Sequence, residues 1–417
     1  MILLPAFAFT ISGKENSSFK EIRMSADPVV IASYARTPMG GFQGALSPLK
    51  ATELGAAVAK AALERSGVAG DAVDQIIMGC VLPAGLGQAP ARQAALGAGL
   101  PLQVEAATVN KMCGSGMQAA ILAHDALVAG SADVILAGGM ESMSNAPYLL
   151  PKHRSGARIG HDRVVDSMMM DGLEDAYTVG KPMGAFAEDA ARHYQFTREA
   201  QDAYALASLT RALAAIENGA FRREVAPVVV ETRKGAVTID TDEQPGKAQP
   251  EKIPGLKPVF AKDGTITAAN ASSISDGAAA LVMTRASVAE KLGLSPVARV
   301  VAHAAHAHEP GLFTTAPVPA IRKVLAKAGW SLDEVDLFEV NEAFAVVAMI
   351  AMQELGIPHE KLNVNGGATA LGHPIGASGA RILTTLLAAL QEQGLQRGVA
   401  SLCIGGGEAT AMGVELL

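Results

Sequence analysis

The sequence predicts an α/β protein made of two pseudo-twofold-related halves in a layered arrangement, with an inserted loop region. Three observations carry this. Segments of buried-strand character alternate with segments of helical periodicity, which is the signature of helices layered on sheets. The chain also repeats itself: "AVAKAALERSGVAGDAVDQIIMGCV" near the start resembles "AIRKVLAKAGWSLDEVDLFEVNEA" near the end, each reading helix, small-residue turn, strand. Each copy then runs into a Gly-rich turn and an Ala-rich helix, "GSGMQAAILAHDALVAG" and "GASGARILTTLLAALQEQG". That helix leads to a buried strand ending in glycines, "VILAGG" and "VASLCIGGG".

The elements follow in order. The first 23 residues lack a basic n-region and an A-x-A cleavage site, and they carry two acids and one arginine, so they fit neither a secretory signal nor a mitochondrial transit peptide. Met24 opens the first good strand, so residues 1–26 are expected to be a non-native or disordered extension with the natural start at Met24. "VVIASYARTP" reads as a buried strand ending at a turn. "ATELGAAVAKAALERSGV" reads as a helix stopped by glycine, and "VDQIIMGCVL" as a second strand. Residues 27–145 plus 225–292 are assigned to the N-terminal half and 293–417 to the C-terminal half. Residues 146–224, Met-rich at first ("SMMMDG") and then helical, are assigned to an insertion covering the substrate site.

Composition narrows the function. The chain has 417 residues, 49% hydrophobic and 18% charged, enough for more than one domain's worth of core and too apolar for disorder. A net charge of −7 without a basic tract excludes a generic nucleic-acid binder. No apolar run reaches the roughly 20 residues that span a bilayer. Three widely spaced cysteines, Cys80, Cys113 and Cys403, form no C-x-x-C and no disulfide framework. They point to a reducing, cytoplasmic setting in which an important thiol acts singly.

The stretch "VNKMCGSGMQAA" (109–120) is the first candidate site. Its "GSGMQA" fits a G-x-G-x-x-A dinucleotide fingerprint, but the fingerprint also needs a clean apolar strand before it and an acid at the end of the next strand. Here Asn110 and Lys111 interrupt the first, and Asp133 precedes "VILAGG" rather than ending it. Cys113, at a strand-to-helix handover, is open to two readings on this stretch alone: a small buried hydrophobe, or a nucleophile. As a nucleophile its thiolate is expected to be favoured by the helix N-terminus, with the glycines clearing space around the sulfur. The C-terminal half adds weight to the second reading. "NVNGGATALGHPIGASGAR" places His373 in the repeat counterpart of the Cys113 turn. "SLCIGGG" places Cys403 at a strand end, and "EVNEAF" places Asn341 and Glu342 at another. Pseudo-twofold halves bring these strand ends together.

At these residues the chain resembles the thiolase family. "NKMCGSGMQA", "AGGMESMSNAPY", "TAANASSISDGAAALV", "NEAF", "GGATALGHPIGASGARI" and "LCIGGG" look like its signature segments, in order, from about Val29 to the C-terminus. The "HPIGASGARI" wording and the long 144–177 loop are most similar to biosynthetic acetyl-CoA acetyltransferases. The resemblance implies condensation of two acetyl-CoA to acetoacetyl-CoA, and the reverse thiolysis, with coenzyme A thioesters as substrates and no permanently bound cofactor or metal. It implies Cys113 as the acyl carrier, His373 as the acceptor of its proton, and Cys403 as the acid/base at the α-carbon. Asn341 would hold an oxyanion-hole water, and the backbone N–H groups of Cys113 and Gly405 would form a second hole. It further implies acyl-pocket roles for Met183 and Phe344 and pantetheine contacts for Ser272 and Ala268, with Leu173 and Phe260 along the coenzyme groove. A homodimer or homotetramer is implied, with no membrane or nucleic-acid partner.

The alternatives are a degradative 3-ketoacyl-CoA thiolase of broader chain length, a decarboxylating ketoacyl synthase, and a non-catalytic coenzyme A or lipid-binding relative. The second thiol, Cys403, argues against the synthase. One departure concerns specificity: "KPMG" puts Pro182 where many acetoacetyl-forming members carry a histidine. An arginine that some members use near the nucleotide is also missing around 245–247, where Lys247 is the available cation. "HAAHAH" (His303, His306, His308) reads as a strand and its exit rather than a metal site. Cys80 reads as a buried strand residue, and Arg92 as structural or interfacial.

Overall fold

The computed structural model describes residues 27–417, so the expectation for residues 1–26 lies outside the described residues. A ten-stranded sheet organises the chain. Its principal strands are β1 (Val29–Arg36), β2 (Gln75–Gly79), β3 (Glu105–Val109), β4 (Val134–Ser142), β5 (Ser275–Arg285), β6 (Ala298–Ala307), β7 (Leu337–Val340), β8 (Arg397–Ile404) and β9 (Glu408–Leu416). They lie in the order β7-β8-β9-β6-β1-β5-β4-β2-β3, and the two-residue strand Gly40–Gly41 pairs with β5. The order is symmetric about the β1–β6 junction. Outward from it, each half has an antiparallel strand (β5 or β9), a second antiparallel strand (β4 or β8), then a parallel one (β2 or β7). The N-terminal half continues to β3. The C-terminal half has only a single bridge there, Phe338 to Leu362.

Strand alternation explains the layers. Side chains of one parity on β4, β5, β8 and β9 (Ile135, Ala137, Ala279, Leu281, Ala400, Leu402, Met412, Val414) pack into one core with two helices. These are α3 (Ser115–Ala129) and α8 (Ser378–Gln393), the repeat counterparts. Side chains of the other parity face outer helices. The N-terminal strands pack on α1 (Ala51–Ser66) and α2 (Pro90–Gly97), and the C-terminal strands on α6 (Pro317–Ala328) and α7 (Ala345–Leu355). The result is helix, strand, helix, strand, helix, with α3 and α8 in the middle. The two strand layers meet through only two β1–β6 residue pairs, Val30 with Arg299 and Ile31 with Ala298.

Helix ends follow from sequence. Gly67, Gly130, Gly329 and Gly394 terminate α1, α3, α6 and α8 in the left-handed region, with φ of 73°, 73°, 69° and 65°. Between β8 and β9 only Gly405–Gly407 intervene, whereas between β4 and β5 the chain leaves the sheet at Ser142 and returns at Ser275. That excursion holds α4 (Met183–His193), α5 (Arg198–Asn218) and a hairpin of Val228–Thr232 with Gly235–Ile239. Residues 225–274 therefore stand outside the large sheet as well, although Ala226, Val228 and Val230 pack into the outer N-terminal core.

Candidate active site

The turn before α3 is built from its own polar groups. Beyond the end of β3, Asn110 Oδ1 accepts a hydrogen bond from the Met112 N–H at 2.9 Å. Ser115 Oγ accepts from the Lys111 N–H at 2.8 Å and donates to the Met112 carbonyl at 2.6 Å. Met112 sits at φ 47°, in the region L-residues rarely adopt, and its strain turns the next residue, Cys113, toward a cavity.

The glycines after Cys113 do a different job from the one expected of them. A Cβ on Gly114 would collide with the Ile404 side chain, and one on Gly116 would lie 2.7 Å from the Ala380 nitrogen. A Cβ on Gly379 would collide with the Met117 nitrogen. The glycines thus clear room for the other half of the molecule, where the first turns of α3 and α8 meet backbone to backbone, rather than for a group approaching the sulfur.

His373 lies in the equivalent turn ahead of α8. Its N–H donates to the Ser273 carbonyl at 3.1 Å. Ser378 Oγ donates to the Pro374 carbonyl at 3.0 Å, so its lone pair accepts the Nδ1–H of His373 at 2.6 Å. That fixes the tautomer and leaves the lone pair on Nε2, which is buried and has no hydrogen-bond partner among the described residues. Burial, helped by the Arg381 guanidinium, drives the imidazole pKa down to about 3, so the ring is neutral. Asn341 Nδ2 lies 3.4 Å from His373 Nδ1, and Asn341 Oδ1 is also buried without a partner. The loop is held from the opposite half by Glu141 on β4. Its carboxylate accepts from the N–H groups of Val81 (3.0 Å), Leu82 (3.2 Å) and Gly376 (2.9 Å), and from the Cys80 thiol. Burial raises the Glu141 carboxyl to about 7 against these donors.

Cys403 is the second-last residue of β8, fully buried, and Gly405 follows in the turn. A cavity of about 430 Å³ has Cys113, His373, Cys403 and Gly405 in its lining. Both thiols are pushed up. Burial raises Cys113 to about 11, against hydrogen bonds from the N–H of Gly405 and its own N–H. Cys403 rises well above the ordinary thiol value through burial and the neighbouring Cys113. The expectation that the helix start would favour the Cys113 thiolate is therefore corrected. A helix terminus contributes only about 0.3–1 kcal/mol at an exposed site, and desolvation in a mostly apolar cavity outweighs it.

The same cavity is lined by Met183, Phe344, Ser272, Ala268, Leu173 and Phe260. Asn341 alone of the expected site residues is not in the lining, and it touches the site through His373. Pro182 lines the cavity beside Met183, capping α4. Sequence reasoning did not single out Met143, Ile274 and Ile375, which form part of the apolar wall, nor Ser378 and Glu141, which fix His373 and its loop. Ser378 was within reach as the fifth residue after His373 in "HPIGAS". Glu141 was not, because its partners come from residues 80–82 and 376.

Glu342, the acid beside Asn341, is also an anchor. Its carboxylate accepts from Tyr204 (2.9 Å), Ser208 (2.8 Å) and Asn363 (2.8 Å), and from Thr369 through both N–H (3.1 Å) and hydroxyl (2.6 Å). A second cavity of about 320 Å³ shares Ala268 and Ser273 with the first and is lined by Lys247 and Lys252. Arg92 donates to the carbonyls of Leu102 and Val104, tying α2 to the loop before the edge strand β3.

Comparisons with known proteins agree with this architecture. The family model of the thiolase N-terminal domain matches residues 29–287 and that of the thiolase C-terminal domain residues 294–416. The acetyl-CoA acetyltransferase of Thiocystis violacea is 50% identical over 395 residues, spanning 94% of this chain and 100% of that protein. Acetyl-CoA acetyltransferase 2 of Arabidopsis thaliana is 51% identical over 392 residues, 93% of this chain and 97% of that one. The crystal structure of the Bacillus anthracis acetyl-CoA acetyltransferase is similar with a TM-score of 0.91 at 42% identity, covering 94% of this chain and 99% of that one. A thiolase from Ascaris suum in complex with coenzyme A gives 0.88 at 42% identity, covering 94% and 100%. With both domain models matched in order across the described chain, and the Cys113 and His373 turns facing one cavity, the protein belongs to the thiolase family.

Proposed function

We propose that the chain is an acetyl-CoA C-acetyltransferase, condensing two acetyl-CoA to acetoacetyl-CoA and coenzyme A and catalysing the reverse thiolysis through an acetyl-cysteine. The observation that carries this is the meeting of two thiols and one neutral imidazole, from opposite halves, in a single apolar cavity. Relatives about 50% identical over nearly the whole chain, named acetyl-CoA acetyltransferase, support the substrate.

The geometry supports these roles. The unpartnered Nε2 of His373 takes the proton as Cys113 sulfur attacks the thioester carbonyl, because a thiol at about 11 supplies little free thiolate near neutrality. The tetrahedral oxyanion lies against the N–H groups of Cys113 and Gly405. Collapse expels coenzyme A, which leaves with the proton of Cys403, so that Cys403 becomes a thiolate while His373 keeps the proton it took from Cys113. Cys403 then removes the α-proton of the second acetyl-CoA, and the enolate oxygen is held by His373 Nε2–H and a water on Asn341. Carbon attack on the acetyl-Cys113 carbonyl forms the new bond and releases the Cys113 thiolate. That thiolate takes back the proton held on His373 Nε2, and with the α-proton retained on Cys403 both thiols and the neutral imidazole are restored. A positioned acid/base contributes roughly 10²–10⁴-fold, and one oxyanion donor about 3–4 kcal/mol.

Met183, Phe344, Ser272, Ala268, Leu173 and Phe260 are assigned to acyl and pantetheine contacts. Five of these six come from the 143–274 excursion. The reaction machinery is thus drawn from the repeated halves, and the 146–224 insertion with its 225–274 continuation shapes the substrate wall. The Lys247–Lys252 cavity suits the anionic end of coenzyme A. No permanently bound cofactor is assigned, and a cytoplasmic homo-oligomer, dimer or tetramer, is the expected state. Pro182 in the wall favours a second reading, a 3-ketoacyl-CoA thiolase of broader chain length, since proline offers no side-chain donor to hold a short acyl carbonyl.

Labelled acetyl-CoA tests the assignment. One acetyl group per chain is expected on Cys113, absent in Cys113→Ser. Cys403→Ala should still acetylate but fail to condense, and survival of both steps in that variant would overturn the role of Cys403. A marked preference for long 3-ketoacyl-CoAs in thiolysis would favour the second reading.

A further inference from the structure

On a surface outside the catalytic cavity, α3 and β6 bring together His124, Asp125 and His303. We propose that these three residues bind a divalent transition-metal ion, with zinc the best fit, and that the ion fastens the N-terminal half to the C-terminal half. His124 Nδ1 and His303 Nε2 each lie 3.0 Å from Asp125 Oδ1 and 3.2 Å from one another. Zinc–ligand bonds of about 2.0–2.1 Å place the ligand atoms of a tetrahedral site roughly 3.3–3.4 Å apart, so the triangle is close to one face of such a site. The two imidazole rings meet edge to face, with centroids 4.8 Å apart and planes at 76°, and both nitrogens converge on the carboxylate oxygen. Two imidazoles and a carboxylate are a borderline donor set that suits zinc, and also nickel or copper, rather than magnesium or calcium.

The competing arrangement is a single carboxylate oxygen accepting an N–H from each ring. It crowds two N–H groups onto one oxygen with their nitrogens 3.2 Å apart, and a cation bound by the two nitrogen lone pairs relieves that crowding. The imidazoles are one-fifth exposed and Asp125 is more than half exposed, so a fourth position opens to water. The site is thus a three-ligand, solvent-exchangeable one. Its location gives it a mechanical consequence. α3 starts at the Cys113 turn, and β6 is the strand that joins the two halves through only two residue pairs with β1. An ion there ties α3 of the N-terminal half to β6 of the C-terminal half at a point beyond those two pairs. His306 and His308 take no part: they contact each other edge to face at 5.0 Å, and His306 meets Lys323. The strand pattern alone hides the site because two of its ligands lie 178 and 179 residues upstream on a helix.

The test is calorimetric titration of zinc chloride into the full chain carrying Cys113→Ser, so that the reactive thiol takes no metal. Titrations are repeated with His124→Gln, Asp125→Asn and His303→Gln added singly. One equivalent should bind, and each substitution should weaken binding by more than about tenfold, since loss of even a supporting partner of a ligand costs 10–100-fold. Zinc should raise the thermal midpoint of the parent chain and leave those of the three variants unmoved. His303→Gln in the otherwise native chain should retain its full thiolysis rate, as none of the three residues lines the catalytic cavity. Absence of zinc binding by the parent, or binding of undiminished affinity in both histidine variants, overturns the site. Neither result bears on the acetyltransferase assignment.

Discussion

Cys113 and His373 are matched by their mismatch. A thiol near 11 and an imidazole near 3 cannot rest as an ion pair, so the proton moves only as sulfur attacks. This has a direct sign. Thiolate grows as pH rises toward the thiol pKa, so the rate of Cys113 alkylation by iodoacetamide in the free protein should climb steadily from pH 6 to 9. A plateau by pH 7, as an imidazolium–thiolate pair would give, would refute the neutral resting state. Ser378 holds the imidazole tautomer through its 2.6 Å contact with Nδ1. Ser378→Ala leaves a buried N–H unsatisfied, a loss of about 1–3 kcal/mol. It should lower kcat for thiolysis roughly ten- to a hundredfold while leaving KM for acetoacetyl-CoA little changed, as steady-state kinetics will show.

At the scale of elements, the two central helices are aligned by glycine. Gly116 and Gly379 let α3 and α8 touch along their first turns, and those turns carry the Cys113 and His373 loops. Gly116→Ala puts a methyl 2.7 Å from the Ala380 nitrogen, where backbone on both sides cannot yield cheaply. Overpacking of this kind costs typically 1–3 kcal/mol. The variant should unfold at lower denaturant than the parent, and its condensation rate should fall further than stability alone explains, because the two loops are pushed apart. Equal stability and rate would show that the helices tolerate a wider gap. Glu141 and Glu342 work on the same scale: each buried carboxylate gathers several donors from segments distant in sequence and thereby sets a loop beside the cavity.

For the whole molecule, the question is what holds the long 143–274 excursion to the repeated halves. Arg36 at the end of β1 is fully buried, donating through Nε to Glu224 at 2.7 Å and bidentately to Asp242 at 2.7 and 2.8 Å. Phe221 lies under its guanidinium, 4.7 Å to the ring centroid. One side chain thus ties the central strand to two points of the excursion. Removing a partner from a buried ionic group leaves the other charges uncompensated, at about 3–5 kcal/mol. Arg36→Ala should lose about that much stability in denaturant unfolding and should be nicked within 143–274 under limited proteolysis before the sheet is attacked. Unchanged proteolysis would place the attachment elsewhere.

The repeat was legible in the chain because each half must bury the same apolar pattern on its own strands and helix. That alone determined an α/β fold with its turns at Cys113 and His373, and the resemblance of those turns to one family named the chemistry. The wall residues Met183, Phe344 and Ser272 were also reachable, since they stand in recognisable local contexts. The sequence could not supply the pairings between distant segments. The thiolate preference expected of Cys113 rested on local helix geometry, and burial among residues from both halves reversed it. The glycines of "GSG" were assigned to the sulfur beside them, and their actual neighbours are Ile404 and Ala380. His303 had no visible partner until α3 was laid against β6. Local pattern depends on near neighbours and is written along the chain. Desolvation, close approach and shared ligands depend on which remote residues arrive at the same place, and only the tertiary structure decides that.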